Sequence, residues 1–213
     1  MARPRQVSDA DILATARALF LKHGPTLATS VIADALGISQ PALFKRFHSK
    51  DELLIESMMC EVPDWEQLIG GAPDGRPLRR QLIEIAGRLS KHMKEDVPCA
   101  IVLRSSKLDL SDLHERFHDG PPPLSALRTL SRWLDNARSA GLTRKDFDAQ
   151  AIATMLLGSV MFRTFLNHAA VTLPHEVGAS DDPEHLGRIV DEIVQAIQPR
   201  PTSSPSVDDE PPG

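Results

Sequence analysis

From residue 9 onward, apolar residues recur three and four positions apart, as in Ile12, Leu13, Ala16, Leu19 and Phe20, with no convincing run of alternation. A period near 3.6 lines such residues along one face of an α-helix, whereas a half-buried strand needs a period of two. Aromatic residues make up only 4% of the chain and tyrosine is absent, so residue types that favour strands are scarce as well. An all-α fold is therefore predicted. With 213 residues, 41% of them hydrophobic, the chain can bury a core without disulfides or a structural metal.

Capping and breaking residues divide this pattern. A first helix is predicted over 9–22, with Ser8 as N-cap, Asp11 three residues on, and Gly24 and Pro25 as the stop. A short helix over 29–36, a turn at Gly37, Ile38 and Ser39, and a third helix over 40–47 follow, then a fourth from about 49 to 60 with Asp51 and Glu52 in its first turn. Residues 61–77 are rich in Gly and Pro and are expected to be a long loop. Beyond it the spacing predicts helices over 78–94, 98–103, 122–140, 146–170 and 183–197. Residues 198–213, rich in Pro, Ser and Asp, are expected to be a disordered tail.

Composition excludes several classes. The two cysteines, Cys60 and Cys99, with no apolar leader after Met1, do not make a secreted disulfide framework, and the expectation is a reduced, cytoplasmic protein. The pair is expected to be buried, inert thiols, a thiol sensor being the alternative. The longest apolar run, 151–162, stops at Arg163, short of the ~20 residues that span a bilayer, so no membrane segment is expected. His114 and His118 share a helix face with Asp112 and Asp119 nearby, but without further ligands at recognisable spacing no metal is expected. Neither a Gly-rich phosphate loop, a nucleophile elbow nor paired catalytic carboxylates occurs, so neither an enzyme nor a cofactor is predicted.

Charge is asymmetric. Residues 1–50 hold Arg3, Arg5, Arg17, Lys22, Lys45, Arg46 and Lys50 against Asp9, Asp11 and Asp34, a net of +4 within a chain of −5, leaving −9 for residues 51–213. Such a distribution directs a polyanion to one end of the molecule. The same end carries the most specific pattern, the helix–turn–helix of residues 28–47: Ile32, Ala33 and Leu36 give one helix a narrow apolar face, Gly37 a sharp turn, Ile38 a plug, and Leu43 and Phe47 the inner face of the next helix. Gln40, Pro41, Ala42, Lys45 and Arg46 are left facing outward.

Helix one (Ile12 to Gly24), the Ile32–Ala33 pair, Gly37-Ile38-Ser39, Ala42-Leu43-Phe44, Phe47 and Ser49-Lys50-Asp51-Glu52-Leu53-Leu54 together resemble the TetR family of bacterial regulators. The resemblance covers about the first quarter of the chain and implies a three-helix DNA-binding domain (1–60), a larger helical ligand-binding and dimerisation domain (61–197), and double-stranded operator DNA as partner. It also implies that the third helix enters the major groove, Gln40 meeting adenine, Ala42 a thymine methyl and Lys45 a guanine edge or phosphate, while Pro41 shapes the helix start. Thr29, Ser30, Ser39, Phe44, Arg46, His48 and Lys50 complete the expected DNA-contacting set. Phe44 stands where the family usually has Tyr, removing a hydroxyl that meets phosphate.

For the remaining residues the family's layout implies a homodimer through the last two helices, whose apolar faces are Ile152, Met155, Leu156, Phe162 and Leu166, and Leu186, Ile189, Val190, Ile193 and Ile197. Met58, Met59, Trp65, His92, Met93, Phe117, Met155, Met161 and Phe165 are the expected pocket for a small apolar effector, with plain core as the competing assignment. The function expected is a dimeric repressor released from a palindromic operator by that effector; a ligand-independent regulator or activator acting through a protein partner is the alternative.

Overall fold

The structure is a computed structural model, and it describes residues 7–111, 122–168 and 183–199. Among these, nine helices follow one another: α1 (Asp9–His23), α2 (Thr29–Leu36), α3 (Gln40–Phe44), α4 (Lys50–Met58), α5 (Trp65–Ile69), α6 (Leu78–Ser105), α7 (Pro122–Ser139), α8 (Ala149–His168) and α9 (Pro183–Ile197). No strand occurs among the described residues. The expected tail lies, from residue 200 onward, outside them.

Local chemistry sets the N-terminal boundaries. The Ser8 hydroxyl accepts from the Asp11 N–H at 3.1 Å and the Asp11 carboxylate accepts from the Ser8 N–H at 2.9 Å, a reciprocal box that satisfies two donors at the start of α1. Helix α2 ends at Gly37, whose φ of 66° lies in the left-handed region, and the Ile38 N–H then returns to the Ala33 carbonyl at 3.1 Å. Ser39 caps α3, accepting from the Ala42 N–H at 3.3 Å. Regular α3 stops at Phe44, short of the predicted 47, though turn bonds continue to Phe47.

Two apolar cores result. Ile12, Ala16 and Phe20 of α1, Ile32 and Ala33 of α2, Leu43 and Phe47 at α3, and Leu53, Leu54 and Met58 of α4 form the first. It is closed by Cys99, Val102 and Leu103, from the last two turns of α6. The earlier part of α6, from Leu78 to Met93, joins α5, α7, α8 and α9 in the second core.

Helix α6 corrects an expectation. The sequence predicts a break between 94 and 98, yet α6 runs unbroken over 28 residues with Pro98 inside it. Proline removes one backbone hydrogen bond and costs ~3 kcal/mol or more in a helix interior, but buried Leu89 and Met93 before it and Cys99, Val102 and Leu103 after it hold both halves in register. Helix α5 is a second correction, lying within the expected loop. Asp64 caps it by accepting from the N–H groups of Glu66 and Gln67, and Trp65 and Ile69 bury it. Its last carbonyls, Leu68 and Ile69, accept from the Arg88 guanidinium at 2.6 and 2.8 Å.

Helix α8 starts at Ala149 rather than 146, because the Asp148 carboxylate accepts from the N–H groups of Gln150 and Ala151 and marks the helix start there. It also carries an 18-residue window, Ala149–Leu166, of mean hydropathy 1.4, long and apolar enough by composition to cross a bilayer, longer than the run read from sequence. Ala153, Leu156 and Val160 bury one of its faces in the second core. Such composition also suits the core helix of a helical bundle.

Because Leu43 is fully buried, Leu43→Ala is expected to lower stability by about 2–5 kcal/mol, while loss of the α1 cap in Ser8→Ala costs about 0.5–2 kcal/mol. Urea unfolding midpoints should fall in that order.

Candidate nucleic-acid interface

Helix α3 has five regular residues, too few to be stable alone, so packing must hold it. Leu43 and Phe47 anchor it in the first core, and Phe44 is half-buried beside them. Gln40, Pro41, Ala42, Lys45 and Arg46 are exposed. The Gln40 amide Nε2 donates to the Thr29 hydroxyl at 2.8 Å. Thr29 is only 6% exposed, so its hydroxyl is placed to orient Gln40. Ser30 is the exposed residue next to it.

Other predicted contact residues are already engaged. Arg46 pairs with the Asp9 carboxylate at 2.6 Å and also donates to the Val7 carbonyl, tying the end of α3 to the start of α1. The His48 N–H donates to Glu52 at 2.7 Å, and its ring Nδ1 lies 3.0 Å from the same oxygen. Ser49 caps α4 by accepting from the Glu52 N–H, and Lys50 opens that helix half-exposed. Of the outward residues, Lys45 is the C-cap of α3, directly following the helix that carries Gln40 and Ala42.

A cavity of about 350 Å3 lies where α4, α5, α6, α7 and α8 meet. Six predicted pocket residues line it: Met58, Met59, Trp65, His92, Met93 and Met161. Met155 and Phe165 do not; they are 59% and 45% exposed on α8. Phe117, His114 and His118 lie outside the described residues. The cavity also takes in Asp96, Ala100 and Arg104, which the sequence reading missed. Their spacing from His92 follows one helical face, legible only if α6 continues through Pro98. Trp65 meets the His92 ring edge-on at 5.3 Å, and His92 Nε2 lies 2.8 Å from the Asp96 carboxylate, giving an otherwise apolar wall one polar spot. Among the described residues no cluster of three or more His, Cys, Asp or Glu could hold a metal.

The model of the bacterial regulatory proteins of the tetR family matches residues 12–56, the span from α1 to α4 that builds this face. The family likeness in sequence thus rests on this N-terminal span. Solved structures share the fold at low identity. A regulator from Pseudomonas syringae pv. tomato is 19% identical over 91% of this chain and 98% of its own, with a TM-score of 0.57. The SmeT–triclosan complex is 22% identical, covering 95% and 97%, with a TM-score of 0.56. NalD of Pseudomonas aeruginosa, described as the secondary repressor of a multidrug efflux pump, is 16% identical, covering 88% and 94%, with a TM-score of 0.58. No curated protein sequence matches the chain.

At the start of α4, the His48 backbone N–H and then its ring hold the Glu52 carboxyl below its ordinary value. A carboxyl lowered by folding adds stability that is complete above its unfolded value and is lost as the pH falls through the folded one. Glu52→Gln should therefore flatten the acid-side loss of stability below about pH 5, measured as urea midpoints against pH.

Proposed function

We propose that this chain is a tetR-family regulator, a dimeric repressor that binds a palindromic operator through α3 and is released by a small apolar molecule in the α4–α8 cavity. The observation that carries the reading is the exposed row Gln40, Pro41, Ala42 and Lys45 on a helix braced from behind by buried Leu43 and Phe47. In this reading Gln40, already oriented by Thr29, meets an adenine edge, Ala42 packs on a thymine methyl, and Lys45 reaches a guanine edge or a phosphate. Pro41 fixes the helix start, while Ser30, Ser39, Phe44, His48 and Lys50 hold the sugar–phosphate backbone. Arg46 joins them if it leaves Asp9.

Residues 1–60 then form the DNA-binding domain and 61–197 the ligand-binding and dimerisation domain. The dimer is supported by α8, whose Met155, Met161, Phe162 and Phe165 are 59%, 45%, 61% and 45% exposed. A cluster of large apolar side chains on one helix is costly in water and marks an interaction surface; covered by a second copy through α8 and α9, it gives the two-fold symmetry that a palindrome requires. The cavity volume suits a small molecule. A ligand held between Met58 and Met59 at the end of α4 and His92 and Met93 of α6 favours conformations in which α4 and α3 are displaced, and so weakens DNA binding.

On a duplex that the wild-type protein retains from a random pool, Gln40→Ala and Lys45→Ala should each weaken binding by about tenfold with little change in melting temperature. Unaltered binding by both variants would overturn the assignment of α3. Phe162→Glu should shift the sedimenting species from dimer to monomer and weaken duplex binding; a dimer of unchanged stability would overturn the α8 interface.

A further inference from the structure

The chain's two cysteines are 39 positions apart in sequence, yet both meet one guanidinium. Arg17, on the side of α1 that faces α6, donates through Nη2 to the Cys60 sulfur at 2.5 Å and to the Cys99 sulfur at 3.3 Å, with Nε 3.4 Å from Cys99. Cys60 follows α4, is half-buried and lines the cavity; Cys99 stands behind it on α6 at 1% exposure. Both thiols are free. Asp96 also acts on this guanidinium, but two of its nitrogens, Nε and Nη2, converge on the Cys99 sulfur at 3.4 and 3.3 Å, an arrangement that suits a thiolate there.

We propose that Cys60 and Cys99 form a hydroperoxide-responsive thiol pair, activated by Arg17, whose oxidation to a disulfide fastens α4 to α6 and weakens DNA binding. The Cys99 thiolate attacks one peroxide oxygen: an S–O bond forms, the O–O bond breaks, and the alcohol or water leaves with a proton from solvent. Sulfur is oxidised by two electrons to the sulfenic acid and the peroxide is reduced. The Cys60 sulfur then displaces the hydroxyl from Cys99; the S–S bond forms, the S–O bond breaks, and the Cys60 proton leaves with the hydroxyl as water. The charges agree with this division of labour. Hydrogen bonding from the Cys60 thiol, and then the Arg17 guanidinium, pull Cys99 below the ordinary thiol range against its burial, while Cys60, facing Cys99 and Asp96, is pushed above it. Cys60 alone of the two opens on the cavity, so in this proposal an oxidant enters past Cys60 to reach Cys99 at 1% exposure, which restricts it to small molecules.

The effect on DNA rests on the repressor reading above, whereas the thiol chemistry has its own readout. The full-length reduced protein is treated with hydrogen peroxide and analysed by mass spectrometry and by duplex binding. Two thiols should disappear with a mass loss of two hydrogens, one intramolecular Cys60–Cys99 link and full reversal by dithiothreitol. Arg17→Gln should slow the loss about tenfold at neutral pH. Oxidised protein should bind its duplex at least tenfold more weakly, and Cys99→Ser and Cys99→Ala should both keep their affinity in peroxide. Persistence of both thiols, a link formed only between chains, or irreversible oxidation without a link would overturn the pair. A disulfide that leaves duplex affinity unchanged would overturn its regulatory effect. Failure of the reduced protein to bind any duplex would overturn the DNA-binding reading instead, with the disulfide still scored by mass.

Discussion

One helix belongs to both cores. Over its first two-thirds α6 buries Leu82, Ile85, Ala86 and Leu89 among α5, α7, α8 and α9, and over its last two turns it buries Cys99, Val102 and Leu103 against α1 and α4. Each fully buried side chain of this size is worth roughly 1.5–3 kcal/mol, so neither half of α6 can leave its core cheaply. The consequence is mechanical. The helix bundle that carries α3 rests on the same rod that forms one wall of the cavity, and in the proposed reading a change in spacing between α4 and α6 is passed to α3. The cavity, with Met58 and Met59 on one side and His92, Met93, Asp96 and Ala100 on the other, lies across that joint.

The proposed DNA-reading surface depends on the first core in a more local way. Five residues of regular helix carry the outward row, and what holds them is the burial of Leu43 and Phe47, the Ser39 cap and the left-handed Gly37 turn. Charge reinforces this placement. Within the basic excess of residues 1–50, Arg46 is paired with Asp9 and His48 is held beside Glu52. In the proposed reading Lys45 therefore carries more of the attraction to a duplex than a count of basic residues suggests, and the absence of a hydroxyl on Phe44 adds to its share.

What was legible in the sequence follows the range of the interactions involved. The Ser8 box, the Gly37 turn and the Ser39 cap act over three to five residues, and the α1–α3 starts they predict are those observed. Helix α5 was missed because its five residues lie among Pro and Gly, and its stability comes from Asp64 and from Arg88, nearly twenty residues on. The break predicted at Pro98 weighed a local penalty that two separate cores outweigh. Met155 and Phe165 were assigned to the pocket from residue type alone, and only the packing of α8 reveals that they face outward. Arg17 gave no signal at all, since its partners lie 43 and 82 residues away.

The central claim is that two copies of this chain present their α3 helices to successive turns of one duplex. Selection of bound sequences from a random duplex pool by the full-length protein tests it most directly. The account predicts enrichment of a two-fold symmetric consensus whose half-sites lie about one helical turn apart or a multiple of it, with affinity falling steeply as salt rises. An asymmetric consensus, or no enrichment at low salt, would contradict it.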